Sequence, residues 1–258
     1  MSESEQKPTF EKHSYKPGAY YPITVPIGQG KTDYEKYIRT GELLALQTPN
    51  EKAASHEEIL FQITHQSSEL WMKMMMHELE KALVYLKADK LALANRCFRL
   101  TADCQRLLID HVDLLGRNLS IVEYVKIRTA LGQGSGMESP GFNWLLEYPE
   151  KIWAEFQGVI HRKGIKLKDI YMDYPNHIEL HTLAESLMDF DDLFHKWRTH
   201  HFDMVSRTIG VDSNSLKGIP TQVLQRGMLS RFFPELLALR NQITNESGVA
   251  YGGQPLNS

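Results

Sequence analysis

The chain has 258 residues, of which 42% are hydrophobic, so it is long enough to bury a substantial core. Its formal net charge of -3 argues against a nucleic-acid-binding protein, which normally carries a basic surplus. Two cysteines are too few for a disulfide-stabilised fold, whereas eleven histidines provide many side chains that can bind a metal.

The first 30 residues contain proline, glycine and several tyrosines, and they predict an extended arm (1–30). This segment lacks the apolar stretch of a signal peptide, and no run of about 18 apolar residues predicts a membrane span. Cys97 and Cys104 lie on one predicted helix, roughly 10 Å apart, which is too far for a disulfide bond. These features predict a cytoplasmic protein with no membrane partner.

Two long segments, residues 50–115 and 176–209, contain no glycine or proline and are rich in helix-forming residues. Capping-box patterns begin at Thr32, Ser55 and Ser120, where helices are expected to start. We predict helices at about residues 33–46, 52–88, 90–116, 120–131, 140–161, 176–209 and 221–243. No useful strand pattern is present, so the sequence predicts an all-α fold, with residues 31–258 forming one domain around three or four long helices.

Helical periodicity separates two histidines from the other nine. His65 shares an apolar stripe with Phe61 on the helix predicted at 52–88, and His201 lies on the apolar stripe of the helix predicted at 176–209. A buried imidazole needs a partner, because an unpaired polar group in a core costs free energy on the kcal/mol scale. Each histidine is therefore either a hydrogen-bonded core residue or a ligand.

Tyr124 and Arg128 lie one turn apart on the same face of the helix predicted at 120–131. An arginine stays ionised, and its planar fork of donors matches a carboxylate. The partner of Arg128 is therefore either an acidic residue of the protein or the carboxylate of a bound ligand.

Four segments, in this order, resemble the tryptophan 2,3-dioxygenase family: ILFQITHQSSELWMKMMMHEL, EYVKIRTALG, KWRTHHFDMVSRTIG and RFFPEL. The resemblance extends from about Thr32 to Arg240. It implies an all-α oxygenase that holds haem b and uses O2 to cleave the indole C2–C3 bond of L-tryptophan, giving N-formylkynurenine in tryptophan catabolism through the kynurenine pathway. It also implies a homotetramer in which the N-terminal region is exchanged between subunits.

The resemblance implies a role for individual residues. His201, in the W-R-x-x-H element, matches the axial iron ligand, and His65 matches the catalytic histidine that hydrogen-bonds the indole nitrogen. Tyr34 and Tyr37 match aromatic residues that reach into the pocket of a neighbouring subunit. The other residues implied to bind substrate are Phe61, Tyr124, Arg128, Ser135 and Gly136.

The sequence departs from the family after the helix that carries His201. The family usually has a Gly-Thr-Gly-Gly-Ser-Ser-Gly loop there, whose threonine helps to hold the ammonium and carboxylate of the substrate. Here the segment VDSNSLKGIPTQ lacks the glycine cluster, and Ser215 falls at the threonine position. This departure motivates a second hypothesis, a relative that mono-oxygenates a modified tryptophan or another aromatic amino acid. A non-catalytic haem-binding sensor and a haem-free helical bundle are the third and fourth hypotheses.

Overall fold

The computed structural model describes residues 30–214, 218 and 220–247. Within these residues the regular structure is helical, with one isolated antiparallel bridge between Asn214 and Pro220, which confirms the predicted all-α fold. The chain divides into two compact units, residues 1–53 and residues 54–258.

The first unit contains two short helices, α1 (Asp33–Ile38) and α2 (Thr40–Leu44), in place of the single helix predicted at 33–46. The predicted capping box at Thr32 is present, with reciprocal hydrogen bonds between Thr32 and Glu35. Arg39 separates the helices, since its φ of 60° is left-handed. Thr40 and Gly41 follow it, and both residue types have low helix propensity.

The second unit is built around three long helices. Helix α4 packs against both α3 and α9, and the shorter α6 and α7 pack against α3. The helices of this unit are α3 (Glu58–Lys87), α4 (Leu91–Asn118), α5 (Ile121–Ala130), α6 (Pro140–Leu145), α7 (Tyr148–Lys163), α8 (Leu167–Met172), α9 (Ile178–Ile209), α10 (Gln222–Met228) and α11 (Pro234–Glu246).

Two further predicted helices are each divided in the structure, and a proline lies in the first turn of the second part in both cases. Pro149 lies in the first turn of α7, and Pro234 lies in the first turn of α11. Proline is tolerated in the first turn of a helix but not in the interior, because it lacks the backbone N–H. Helix α3 also begins later than predicted, since the buried Glu58 carboxylate accepts a hydrogen bond from the backbone N–H of Ala54 at 2.6 Å.

The main core fills the space between α3, α4, α7 and α9. Its fully buried side chains include Met75, Leu79, Phe98, Ile152, Phe156, Leu183 and Phe190. Both cysteines are buried free thiols, and burial raises the pKa of Cys97 to about 12. No helix among the described residues is long and apolar enough to cross a membrane.

A second, smaller core lies where α3, α4 and α5 meet. It consists of Leu115, Leu119 and Ile127, and Phe61 and Tyr124 pack against it. Ser120 caps the N-terminus of α5, because its hydroxyl accepts a hydrogen bond from the backbone N–H of Glu123. This small core fixes the position of α5, and therefore also the position of Tyr124 on that helix.

Candidate functional site

Side chains from α3, α5 and α9 lie close together in one cluster, to which we give the name histidine cleft; its members are Phe61, His65, Tyr124, Arg128 and His201. The ring centroids of Phe61 and His65 are 4.0 Å apart, and those of Phe61 and Tyr124 are 6.1 Å apart. Arg128 is near enough to Tyr124 to lower the pKa of its phenol, although burial raises that pKa by more. His65 likewise lowers the pKa of His201 electrostatically.

The hydrogen bond of His65 defines which of its nitrogens carries the proton. Its Nδ1 lies 2.7 Å from the carbonyl oxygen of Phe61, and a carbonyl can only accept. Neutral His65 therefore donates from Nδ1 and keeps a lone pair on Nε2. Desolvation lowers the pKa of His65, yet its side chain is exposed. The exposed ring of His65 can be reached by a ligand.

His201 faces the same cleft but has no hydrogen bond to its ring within the described residues. Burial lowers its pKa to about 4, so its imidazole is neutral at physiological pH. The ring stacks on Trp197, one turn earlier on α9, with centroids 5.1 Å apart and planes 6° apart. The adjacent His200 is engaged instead, since its Nδ1 lies 2.8 Å from a carboxylate oxygen of Asp113.

Arg128 has no carboxylate partner in the part of the chain that the structure describes. Its Nη2 donates a 2.7 Å hydrogen bond to the backbone carbonyl of Asn214, in the loop after α9. Of the two partners that the sequence left open, an acidic residue of the protein is therefore not found among the described residues. The remaining N–H groups of the guanidinium are available for an anionic ligand.

The family of the chain follows from its similarity to known proteins. A family profile described as tryptophan 2,3-dioxygenase matches residues 25–149 and 158–243, which is most of the chain. The chain belongs to the tryptophan 2,3-dioxygenase family. The family membership expected from the four sequence segments is confirmed.

Bacterial relatives named tryptophan 2,3-dioxygenase align over nearly their whole length. The protein of Serratia proteamaculans is 28% identical over 267 residues, covering 83% of this chain and 94% of the relative. That of Myxococcus xanthus is 28% identical, covering 83% and 91%. That of Erythrobacter litoralis is 29% identical, covering 81% and 98%.

The residues of the histidine cleft fit the haem that the tryptophan 2,3-dioxygenase family implies. No group of three or more His, Cys, Asp or Glu side chains that could hold a metal ion is found among the described residues. Haem needs no such group, because its porphyrin supplies four nitrogen ligands and the protein adds an axial one. His201 is suited to this task, since it is neutral and its ring nitrogens make no hydrogen bond within the described residues.

The loop between α5 and α6 contains Ser135 and Gly136. The Ser135 hydroxyl accepts a 3.3 Å hydrogen bond from the backbone N–H of Met137, and Ser135 N–H donates to Glu138 at 3.0 Å. Both hydrogen bonds stay within the loop, and neither reaches a side chain of the histidine cleft. A side-chain carbon added at Gly136 would meet no atom within 4 Å, so there is open space beside this residue.

Three more residues from the sequence analysis stay predictions. Ser215 lies outside the described residues. Tyr34 and Tyr37 lie on α1 in the first unit, and their side chains are 68% and 87% exposed.

Sequence reasoning assigned no role to two side chains that lie near the cleft histidines, Glu69 and Trp197. Glu69, one turn after His65, accepts hydrogen bonds from the Ser139 hydroxyl at 2.5 Å and the Gly141 N–H at 3.0 Å. Both missed residues lie four positions from a cleft histidine on the same helix. That spacing was the available signal, because residues four apart on a helix are neighbours.

Proposed function

We propose that the chain is a haem-dependent dioxygenase that uses O2 to cleave the indole C2–C3 bond of L-tryptophan, giving N-formylkynurenine. The observation that carries this proposal is the pairing of two different neutral imidazoles across one cleft. His201 has no hydrogen-bond partner within the described residues, and His65 has its Nδ1 proton committed to Phe61. One can ligate iron while the other contacts substrate.

The haem, proposed to be haem b, would be held by His201 and would supply the activation of O2 when bound. The low pKa of His201 means that no proton has to be displaced from it near neutral pH. The stack on Trp197 restricts rotation of the imidazole, so its orientation is set before haem binds.

The tasks of the remaining cleft residues follow from their donors and acceptors. The Nε2 lone pair of His65 would accept a hydrogen bond from the indole N–H and orient the ring. Phe61 would pack against the indole, and Arg128 would pair with the substrate carboxylate. Tyr124 is close to both Phe61 and Arg128, and it would help to fix the geometry of the pocket.

A further set of assignments rests on the resemblance to the family. We propose that Ser135 and Gly136 provide the small-residue loop that lets substrate approach the haem, and that Ser215 contacts its polar end. We further propose a homotetramer in which Tyr34 and Tyr37 enter the pocket of a neighbouring subunit, which suits their exposure in the single chain. Two buried free thiols suit the reducing cytoplasm.

The decisive experiment is an aerobic reaction of the reduced, haem-loaded protein with L-tryptophan, followed by mass spectrometry of the product. We expect a gain of two oxygen atoms. A gain of one oxygen atom would indicate a mono-oxygenase, and haem binding without turnover would indicate the sensor.

Haem ligation is tested separately by the absorption spectrum. His201→Ala is expected to lose the Soret band, while the matched variant His200→Ala retains it, because His200 bonds Asp113. Equal retention of the band in both variants would contradict the assignment of His201. Absence of the band from the wild-type protein after reconstitution would support the haem-free bundle instead.

A further inference from the structure

The loop that follows α9 is closed by the side chain and backbone of Thr221 and not by a glycine cluster. Thr221 is only 4% exposed, and both its N–H and its hydroxyl donate to the carbonyl oxygen of Ser213, at 3.1 Å and 2.6 Å. The Ser213 hydroxyl in turn donates to the carbonyl of Ile209 at the end of α9. Asn214 and Pro220 form an antiparallel bridge across the loop. These contacts hold the carbonyl group of Ser213, which directly precedes Asn214, and they restrain the position of Asn214 in turn.

The fixed loop places the Asn214 carbonyl beside the guanidinium of Arg128, with 2.7 Å between the oxygen and Nη2. A carbonyl oxygen has two lone pairs, and among the described residues this oxygen accepts only the one hydrogen bond. The pair therefore presents unused donors on the arginine and an unused acceptor on the carbonyl, next to each other.

This arrangement is complementary to an α-amino acid, which carries a carboxylate and an ammonium group on the same carbon atom. A neutral carbonyl also suits the position beside Arg128 better than an acidic side chain would. A carboxylate beside Arg128 would pair with the guanidinium and compete with the carboxylate of the ligand, whereas a backbone carbonyl leaves the positive charge of Arg128 in place.

We infer that the Asn214 carbonyl accepts a hydrogen bond from the α-ammonium group of the substrate, and that Thr221 is the positioning residue that holds this carbonyl beside Arg128. The inference rests on the proposed function, because it assumes that the ligand of the cleft is an α-amino acid. It assigns recognition of the two charged groups to two adjacent groups of the protein, one on α5 and one on the loop after α9.

The test compares L-tryptophan with 3-indolepropionate, which has the carboxylate but no ammonium group. Dissociation constants are measured from the spectral change of the ferric haem-loaded protein. In Thr221→Val, which removes the hydroxyl but keeps the shape, we expect the preference for L-tryptophan over 3-indolepropionate to fall about tenfold or more, the effect of a hydrogen bond to a charged group. Thr221→Ser, which keeps the hydroxyl, is the matched control and should retain the preference.

The ratio of the two dissociation constants distinguishes loss of ammonium recognition from a general loosening of the loop, because a loosened loop weakens the binding of both ligands alike. An unchanged ratio in Thr221→Val, or an equal fall in Thr221→Ser, would overturn the inference. Should Thr221→Val fail to fold, Ser213→Ala removes the anchor to Ile209 and should lower the same ratio by a smaller factor; an unchanged ratio there overturns the inference.

The proposed function fails in a different way. Wild-type protein that neither binds nor oxidises L-tryptophan would overturn the function and the inference together. Wild-type protein that turns over L-tryptophan, with variants that leave the ratio unchanged, would overturn the inference alone.

Discussion

At the scale of single residues, the hydrogen bonds of the histidines determine what each can do. His65 and His195 both have Nδ1 at 2.7 Å from a backbone carbonyl, that of Phe61 and that of Met228 respectively. Such a bond fixes the neutral tautomer and leaves Nε2 as an acceptor. Of the two, His65 belongs to the histidine cleft. Its bond to the Phe61 carbonyl therefore leaves Nε2 ready to accept a hydrogen bond from a ligand.

This preparation gives a prediction for His65. We expect wild-type protein to bind L-tryptophan about tenfold more tightly than 1-methyl-L-tryptophan, whose indole nitrogen has no proton to donate. In His65→Ala the two ligands should bind with nearly equal dissociation constants, measured spectroscopically on the haem-loaded protein. His77→Ala, on the same helix, is the control. A preference that persists in His65→Ala would show that another group recognises the indole N–H.

Sequence periodicity predicted that His65 lies beside Phe61, one turn away on a long, regular helix, and the ring contact confirms this. It could not predict the partner of Arg128, because Asn214 is 86 residues away and contributes a backbone carbonyl, which carries no signature of residue type. For the same reason Thr221 was not recognised: its contacts depend on how the loop folds back.

At the scale of elements, Glu69 connects α3 to the start of α6. The contact requires a close approach, since a side-chain carbon added at Gly141 would lie 2.6 Å from the Glu69 carboxylate and 2.9 Å from Met72. Glycine is thus the residue type that this helix crossing accommodates. Ser139 caps α6 and also donates to Glu69, so the same carboxylate holds the end of the loop that contains Ser135.

We expect Glu69→Gln to lower the free energy of unfolding by about 1–3 kcal/mol, because the two oxygens of the carboxylate each accept one hydrogen bond, whereas a carboxamide has one accepting oxygen and a nitrogen that can only donate. Gly141→Ala should also destabilise, and the double variant should cost less than the sum, since the residues are in contact. Urea unfolding measures all three. Glu80→Gln, which alters a single 3.1 Å bond from Tyr148, is the control and should cost less. If the effects of the two single variants on the free energy of unfolding add up to that of the double variant, Glu69 and Gly141 are not coupled.

The element boundaries were predictable where the chain carries a local signal. Thr32 caps α1 with the full capping box, whereas Ser120 caps α5 through its hydroxyl alone. The capping box predicted at Ser55 is wrong, because the N-cap of α3 is Glu57 and has no side-chain cap hydrogen bond. The divided helices were missed because periodicity continues across Pro149 and Pro234, although each proline marks the first turn of a new helix.

At the scale of the whole molecule, several histidines make the stability of the haem-free protein depend on pH. Burial lowers the pKa of His65, His111 and His201, in the last case to about 4 from an ordinary value of 6.5. Between those values the unfolded chain binds more protons than the folded one, so stability rises with pH. The stabilising contribution is complete above pH 6.5 and is lost as pH falls towards 4.

We therefore expect the unfolding free energy of the haem-free protein to fall between pH 7 and pH 5. His201 contributes at most about 1.4 kcal/mol per pH unit, and less because solvent reaches part of the ring. Urea unfolding at several pH values measures the slope, and His201→Leu should show a smaller one. Equal slopes in the wild-type protein and in His201→Leu would show that groups other than His201 cause the pH dependence.

The proposed assembly is a property of several chains together, and it yields a prediction that no single chain can satisfy. If Tyr34 and Tyr37 complete the pocket of a neighbouring subunit, a pocket combines their rings with the His65 of a different chain. A mixture of Tyr34→Ala/Tyr37→Ala subunits with His65→Ala subunits then forms some pockets with no altered residue.

We expect each of these variants alone to have low activity with L-tryptophan, and the mixture to regain activity after co-refolding or co-expression. The regained fraction should follow the proportion of pockets that combine the two chain types, so it is largest at equal amounts. Mixing His65→Ala with Arg128→Ala is the control: both residues belong to the second unit of one chain, so no intact pocket can form. Equal failure of both mixtures would mean that the tyrosines serve the pocket of their own chain or none.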